Sequence, residues 1–456
     1  MKKFLNISML ALVALSSLSL ASCKNEIEDI FDEDAIARLD KAKAHYSDIL
    51  TDKGGKWQLE YYANSNEQGY IYLMTFAQDG SVTISGNNKW INYVQSGSAN
   101  TPAYGSEVSM WEVIADNGPV LSFNTYNKFF HLFADPYDIP SVGGVSSQDD
   151  VNENGYGHEG DYEFDIMKYV ESEAGDTLFL TGKKYNLNMI MTRVPATVED
   201  EVYMNEVIAM ADSFFNAKVP QVYINLPNGV RWVVKNGATS ILKMFREGAD
   251  EISTAENHNV IITHDGLSFM DPLTIDGYTI QNFIRQADGS LLCRDDNQTT
   301  MTADHLGTVL ADKNLMWRCT LSGSNCGGRY ADLAAKIVDE LKAYNKSTLQ
   351  YAQIAYLPET NVYALSFNIK KGSVKYNPTY YITMDVTGNE QVKFNAAAEG
   401  DKMGETYASK CPSIRAVVDA LASGALNLST NSLLAPVNMT TAESDNAANF
   451  LVWNLQ

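Results

Sequence analysis

The fold of this chain is constrained most by segments in which apolar and polar residues alternate. Residues 56–62 alternate in this way, as do residues 70–76, and a turn at Asp79-Gly80 leads into a returning segment. A period of two predicts half-buried β-strands, and Asp-Gly between two such runs is a strong hairpin signal. Similar segments continue to residue 194, which predicts about eight antiparallel strands with short turns and no helix between them. An up-and-down barrel leaves such strands without exposed edges.

The rest of the chain adds helices to antiparallel strands. Helical spacing of apolar residues predicts helices near 34–50, 330–344 and 412–423, and a further helix that Thr197 caps and that runs to Phe215. We therefore expect a mainly β protein with an α+β second region: a helix plus barrel domain at 34–195, and an α+β domain at 196–456. This second domain would contain antiparallel sheets and about three packing helices. A helix followed by a meander occurs twice within it, which suggests two degenerate repeats at 196–300 and 330–456.

The N-terminus has the pattern of an export signal. Two lysines precede an apolar run, and small residues close it at Leu20-Ala21-Ser22-Cys23. This pattern predicts a signal peptide at 1–22. The cysteine at the cleavage point makes it similar to a bacterial lipoprotein signal. That resemblance implies lipid attachment at Cys23.

An acidic tether follows at 23–33. Six acids lie between Glu26 and Asp34, which is typical of a solvated, self-repelling linker. The run also resembles the acidic export signal that Bacteroidota lipoproteins carry after the lipidated cysteine, although Lys24 and Asn25 come first. This resemblance implies an outer-membrane lipoprotein facing outward, at the cell surface, with a periplasm-facing position as the alternative.

Charge and cysteine content narrow the classes of partner. The formal net charge of −22 argues against nucleic acid, whose binding requires clustered lysine and arginine. Four cysteines remain after Cys23, and sequence alone cannot choose among their three pairings. Free thiols or one local disulfide between Cys319 and Cys326 are favoured over a zinc site, which would want a tighter C-x₂-C pair.

Most chemical motifs are absent or misplaced. Gly155-x-Gly157-x-x-Gly160 has the spacing of a dinucleotide fingerprint, but no strand precedes it and no helix follows it. The same loop has the ligand spacing of a calcium site, and an ordinary polar loop is the alternative. No cofactor is required by the sequence, and calcium is the one candidate. The candidate metal ligands are Asp150, Asn152, Asn154 and Asp161.

Two local features suggest where a ligand would bind. Gly55-Lys56-Trp57 resembles the opening of lipocalin-like domains, in which a tryptophan on the first strand packs across the barrel floor. The resemblance implies that Arg193, on the last strand, lies over Trp57. Polar residues in loops at a barrel mouth are frequent binding residues. The candidate ligand-binding residues are His131, Asp135 and Trp90, the last as an exposed ring able to stack on a sugar.

Several short sequence segments resemble those of one family of Bacteroidota lipoproteins, that of domain of unknown function 4302. No biochemical role is established for this family. The resemblance implies an accessory lipoprotein working beside TonB-dependent transporters and Sus-like partners. The segments are Ile30-Phe31-Asp32-Glu33 with Arg38-Leu39, Gly55-Lys56-Trp57 with Tyr61-Tyr62, residues 121–127, His131-x-Phe133-x-Asp135-Pro136, residues 160–164 and Gly182-Lys183-Lys184.

These observations lead to one functional expectation and two alternatives. We expect a surface-exposed, lipid-anchored accessory binding protein that assists nutrient capture with a TonB-dependent transporter. Its unknown small ligand would be a glycan, a peptide or haem. The first alternative is an extracellular hydrolase with an unrecognised carboxylate pair, so the question of enzymatic activity stays open. The second is a structural or adhesive surface subunit.

Overall fold

The computed structural model describes residues 34–65, 67–135, 139–140, 158–172, 175–215, 218–219, 221–236 and 241–456. These residues form three antiparallel sheets of nine strands each, together with eight α-helices. The expected mainly β fold with large antiparallel sheets is confirmed. Among the described residues, no helix is both long enough and apolar enough to cross a membrane.

The first sheet is a barrel-like meander. Its strand order is β4-β3-β2-β1-β9-β8-β7-β6-β5, so the first and last strands pair and the ring stays open between β4 and β5. Helix α1, Ala35–Thr51, precedes it. The strands β1 to β9 are Lys56–Tyr61, Tyr70–Phe76, Ser81–Asn88, Ala103–Met110, Glu112–Ala115, Pro119–Ser122, Glu163–Val170, Thr177–Gly182 and Asn188–Arg193.

A helix interrupts this meander, contrary to the expectation of strands alone. Helix α2, Lys89–Ser96, lies between β3 and β4. The Asn88 side chain accepts hydrogen bonds from the backbone N–H groups of Trp90 and Ile91, and Gly97 ends the helix with a φ of 76°. An asparagine cap and a left-handed glycine are strong helix boundaries. The short segment between them carries too few apolar repeats for periodicity to separate it from a strand.

Side chains fill the interior of the first sheet. The inward residues of β1 and β2 pack against a chain segment that enters the barrel between β6 and β7. The Tyr61 ring lies 5.3 Å from that of Phe130 and 5.5 Å from that of Phe133. The largest fully buried side chains of this core are Trp57, Tyr61, Tyr72, Phe123, Phe130, Phe133 and Phe164. Within the described residues, aromatic side chains therefore occupy the space in which a lipocalin-like barrel would hold a ligand.

The second sheet repeats the strand order of the first. Its order is β13-β12-β11-β10-β18-β17-β16-β15-β14, and a helix, α3 (Asp200–Phe215), again precedes its first strand. Helix α4, Glu251–Thr254, again lies between its third and fourth strands. The strands β10 to β18 are Val222–Asn225, Arg231–Asn236, Leu242–Arg246, Glu256–His258, Val260–Ile262, Gly266–Ile275, Tyr278–Arg285, Leu291–Cys293 and Thr300–Ala303.

The third sheet closes into a ring of eight strands. Its order is β20-β19-β27-β26-β25-β24-β23-β21-β22, and an additional β20–β21 pairing completes the ring while β22 flanks it. The strands β19 to β27 are Trp317–Cys319, Thr348–Leu357, Val362–Lys371, Val374–Tyr376, Thr379–Gly388, Gln391–Gly400, Ala425–Ser429, Asn438–Glu443 and Phe450–Leu455. The helices α5 to α8 are Leu306–Leu310, Arg329–Asn345, Lys402–Lys410 and Pro412–Leu421, and short 3-10 turns cover Asp52–Gly54, His131–Phe133 and Gly323–Asn325.

The three sheets can be compared with the expected domain organisation. The expected second domain, 196–456, contains two of the sheets, and β19 precedes the expected start of the second repeat at 330. The shared strand order relates the first sheet to the second. The domain boundaries themselves stay a prediction.

Candidate functional site

The outer face of the first sheet packs against a second unit, which consists of α3 and the second sheet. On β2, Ile71 and Leu73 point away from the aromatic interior and bury against Met204 and Val207 of α3 and Ile261 of β14. Strand alternation causes this, because successive side chains point to opposite faces. The first sheet is therefore buried on both faces beside α3.

Polar contacts fix the start of α3 on this face. Lys56 Nζ donates to Asp200 Oδ1 at 2.7 Å and to the Val198 carbonyl at 2.6 Å. Ser85 Oγ donates to the second carboxylate oxygen of Asp200 at 2.7 Å. Because Lys56 and Ser85 are buried, these contacts tie the linker and α3 to β1 and β3.

A cavity of about 750 Å³ lies beside this junction. Its walls are β1 and β9 of the first sheet, the linker before α3, α3 itself, and β15 and β16 with the turn before β15. A volume in this range suits a small organic ligand, and pockets between packed units are frequent binding sites. Its polar lining includes Gln58, Glu60, Thr192, Tyr203, Asp265 and Arg294.

Glu60 places a carboxylate without a protein partner on the inner wall of the cavity. Its carboxylate accepts no hydrogen bond and makes no ion pair within the part of the chain that the structure describes. Burial raises the pKa of Glu60 from its ordinary 4.5 to about 7, and the charge of Asp265 adds to the rise while Arg294 opposes it. Glu60 is therefore poised to gain or lose a proton near neutral pH.

Gln58 and Tyr203 form a hydrogen-bonded pair beside Glu60. The Tyr203 hydroxyl donates to Gln58 Oε1 at 2.5 Å. Burial raises the pKa of Tyr203 above its usual range, so the phenol stays protonated and keeps its donor role. The Gln58 side-chain amide N–H groups contact no acceptor among the described residues, although Gln58 is only 6% exposed. An unpaired donor thus faces the cavity.

His264, Asp265 and Arg294 form the opposite wall. The His264 ring packs on the Tyr203 ring with centroids 4.4 Å apart. His264 Nδ1 lies 3.7 Å from an Asp265 oxygen and has no hydrogen-bond partner within the described ranges. Thr263 donates to Asp265 at 2.9 Å, and an Arg294 nitrogen lies 3.5 Å from the other Asp265 oxygen. Asp265 is therefore partly neutralised, unlike Glu60.

The expected exposure of Trp90 is wrong. Trp90 is 5% exposed on α2, and its indole N–H donates to the Tyr70 hydroxyl at 2.9 Å. Its ring packs 5.1 Å from that of His158, so its buried faces offer no platform for a sugar. The helix that Asn88 begins turns this side chain inward.

His131 occupies a structural position, as its hydrogen bonds show. Its Nδ1 accepts from the Asn127 backbone N–H and its Nε2 donates to the Phe123 carbonyl, both at 3.1 Å, which fixes the tautomer. The ring is 8% exposed and holds the segment that enters the barrel. Asp135 follows this segment and does not line the cavity. The predicted ligand roles of both residues stay predictions.

Asp161 holds the turn between β8 and β9. Its two carboxylate oxygens accept backbone N–H groups of Lys184 and Tyr185, each at 3.0 Å. A Cβ at Gly182 would lie 2.2 Å from Asp161 Oδ2, so this close approach requires glycine. Asp150, Asn152, Asn154 and Cys23 lie outside the described residues, so calcium binding and lipid attachment stay predictions.

Sequence reasoning missed a second buried polar group. His158 Nδ1 lies 2.6 Å from Glu67, and His158 Nε2 donates to the Pro140 carbonyl at 2.5 Å. Glu67 also accepts from Asn64 at 2.8 Å and from the Tyr70 hydroxyl at 3.0 Å. Because the side chains of Glu67 and His158 are 3% and 0% exposed, this pair serves packing rather than ligand contact. No motif marks it, since its members are distant in sequence.

The cysteines and metal ligands add no further site in the described ranges. Cys293, Cys319, Cys326 and Cys411 are free and buried. No group of three or more histidine, cysteine, aspartate or glutamate side chains there is arranged to hold a metal ion.

A known protein family matches the part of the chain that forms most of this cavity. A family model described as domain of unknown function 4302 (DUF4302) matches residues 27–287. The chain belongs to this family. The DUF4302 match spans the first sheet, α3 and the second sheet through β16, and hence most of the cavity wall. No curated protein matches the chain.

Proposed function

We propose that this DUF4302 protein is a lipid-anchored accessory binding protein at the outer face of the outer membrane. It holds a small ligand in the cavity between the first sheet and the second unit, and it assists a TonB-dependent transporter, with Sus-like lipoproteins, in nutrient capture. The observation that carries the proposal is the cavity of about 750 Å³ with unpaired polar groups at Gln58 and Glu60.

The proposed location at the outer membrane rests on the N-terminal sequence. The pattern ending at Cys23 and the acidic run after it support an exported, acylated protein with a solvated tether. In cells, Cys23→Ala should abolish labelling by a fatty-acid probe and release the protein from the membrane fraction. Continued labelling would overturn the anchoring. Protease treatment of intact cells should degrade the anchored protein if it faces outward.

The binding role rests on polar groups that line one cavity without a protein partner. The Gln58 amide N–H groups and the Glu60 carboxylate contact no partner among the described residues, and the buried His264 Nδ1 has none there either, which favours a ligand that supplies these partners. Melting curves of the full chain with oligosaccharides, short peptides and haem should show stabilisation by one class, because a ligand of the folded state raises its stability. The shift should shrink in Glu60→Gln and persist in Glu359→Gln, an exposed control. No shift with any class would contradict the proposal.

One observation favours a hydrolase as the second candidate. Glu60, with a pKa of about 7, shares the cavity with Asp265, and a carboxyl that exchanges protons near neutral pH suits general acid–base catalysis. Release of products from the same oligosaccharides and peptides, abolished by Glu60→Gln, would establish this activity. Binding without turnover would favour the accessory role.

The structural alternative rests on the packed barrel. The aromatic interior of the first sheet provides a rigid scaffold rather than a ligand chamber. A purely structural subunit would show no ligand-dependent change in melting temperature, and it would still copurify with its membrane partners.

A further inference from the structure

The charges around the cavity are unbalanced at its inner wall. Its exposed rim carries Glu199 and Glu206, while Glu60 lies partly buried inside. Arg193 lines the cavity, but its guanidinium binds Asp176 and the carbonyls of Asp52 and Ile49. Arg294 and His264, the other basic residues of the lining, lie beside Asp265. The Glu60 carboxylate is therefore available to pair with a positive charge on a ligand.

Gln58 and Glu60 lie side by side on one face of β1. Residues two apart on a strand point to the same side, about 7 Å apart along the chain. Gln58 offers an amide N–H without an acceptor, and Glu60 offers a carboxylate without a donor. Together they match a ligand in which an ammonium group stands next to a carbonyl oxygen. The amino terminus of a peptide has this arrangement.

Apolar side chains cover the space beside this pair. Ile190 projects from β9, Val194 and Val198 from the linker before α3, and Val202 from the first turn of α3. Ile190 pairs with Glu60 in the β1–β9 register, so an apolar surface starts directly beside the carboxylate. A side chain next to a bound ammonium would be removed from water there.

We infer that the cavity receives the free amino terminus of a short apolar peptide, with its ammonium on Glu60 and its first carbonyl on the Gln58 amide. This inference rests on the proposed binding function and names the ligand class for that site. Haem and glycans without free amino groups supply no ammonium, so they leave Glu60 without its partner.

The protonation of Glu60 makes the inferred binding depend on pH. Free Glu60 has a pKa of about 7, and a bound ammonium favours the ionised carboxylate, so binding releases a proton below that pH. Affinity should therefore rise from pH 5.5 to about pH 7.5 and fall above it, because the amino terminus of the peptide loses its own proton with an ordinary pKa of about 8. The titratable and charged groups that face Glu60 across the cavity are Arg193, Glu199, Tyr203, Glu206, His264, Asp265 and Arg294.

Calorimetry of the full chain with the tripeptide Leu-Ala-Ala and its N-acetylated form tests the inference at pH 7.5, where most Glu60 is ionised and most of the peptide still carries its ammonium group. The free peptide should bind, and acetylation or Glu60→Gln should each weaken binding about tenfold or more, since each removes a charge-assisted hydrogen bond. Glu359→Gln should leave the affinity unchanged, and circular dichroism should show that Glu60→Gln is folded.

The outcomes separate this inference from the proposed function. Equal binding of the free and acetylated peptides, or unchanged binding in Glu60→Gln, would overturn the amino-terminal assignment. Stabilisation by an oligosaccharide or haem through the same cavity would also overturn it, while leaving the binding function intact. If none of these probes binds, both fail.

Discussion

Arg193 lies over the Trp57 ring, with its guanidinium carbon 4.1 Å from the ring centroid. The two residues are register partners on β9 and β1, where the meander of the first sheet closes. Arg193 also donates to Asp176 Oδ2 at 2.6 Å and to the Asp52 and Ile49 carbonyls at 2.7 and 2.9 Å. One side chain therefore joins the closing strands to the end of α1, as the lipocalin-like opening of the sequence implied.

Arg193→Ala should destabilise the protein strongly. It removes a stacked guanidinium and leaves Asp176 and two carbonyls without those donors, although Lys53 still lies 3.0 Å from Asp176. We expect a loss of about 3 kcal/mol in the free energy of unfolding, measured by urea denaturation. Arg294→Ala, at a side chain that is 59% exposed, should cost less than about 0.5 kcal/mol. Equal effects of the two changes would contradict this role.

Glu60 should make stability depend on pH in a defined direction. Its folded pKa of about 7 lies above the unfolded value near 4.5, so protonated Glu60 favours the fold. This contribution is fully present below about pH 4.5 and is lost as the pH rises through about 7. At pH 8, Glu60→Gln should therefore raise the free energy of unfolding by up to about 3 kcal/mol. Near pH 4.5 the two proteins should match. A gain that did not vary with pH would refute the assignment.

Asp161→Ala should destabilise the β8–β9 turn irrespective of calcium. Removing the carboxylate leaves the Lys184 and Tyr185 N–H groups unpaired, which costs about 1–3 kcal/mol. The drop in melting temperature should be the same with EDTA and with millimolar Ca²⁺. A drop seen only with Ca²⁺, matched by Asp150→Ala, would instead favour the predicted calcium loop.

The buried thiols should resist modification in the folded protein. Burial raises the pKa of Cys319 to about 12 and that of Cys411 to about 11, so few thiolates form at neutral pH. A maleimide should label Cys293, Cys319, Cys326 and Cys411 only after denaturation. If Cys319 and Cys326 required a reductant first, the local disulfide would be present.

The sequence pattern predicted which face of a strand is buried better than it predicted which residues come into contact. Alternation on β1 correctly places Trp57, Leu59 and Tyr61 on the interior side, because period-two burial is a local property. The same alternation makes Gln58 and Glu60 look like ordinary solvated positions. They face a cavity because α3 and the second sheet cover this face, and no local signal in β1 encodes that packing.

The missed helix and the missed pairs have a similar cause. Trp90 looked exposed because its segment is short and polar, yet the Asn88 cap turns it into α2 and buries the ring. Glu67 and His158 meet across 91 residues of sequence. Contacts of this range depend on how the strands close, which residue spacing does not determine.

The central claim is that the cavity beside Glu60 holds the ligand, and protection of one introduced thiol tests it most directly. Thr192 lines the cavity as the register partner of Gln58, and the native cysteines in the described residues are buried. In a Cys23→Ser background, Leu-Ala-Ala should slow maleimide labelling of Thr192→Cys several-fold. Labelling of Thr360→Cys, in an exposed turn, should stay unchanged. A peptide that binds without protecting Thr192→Cys would contradict the account.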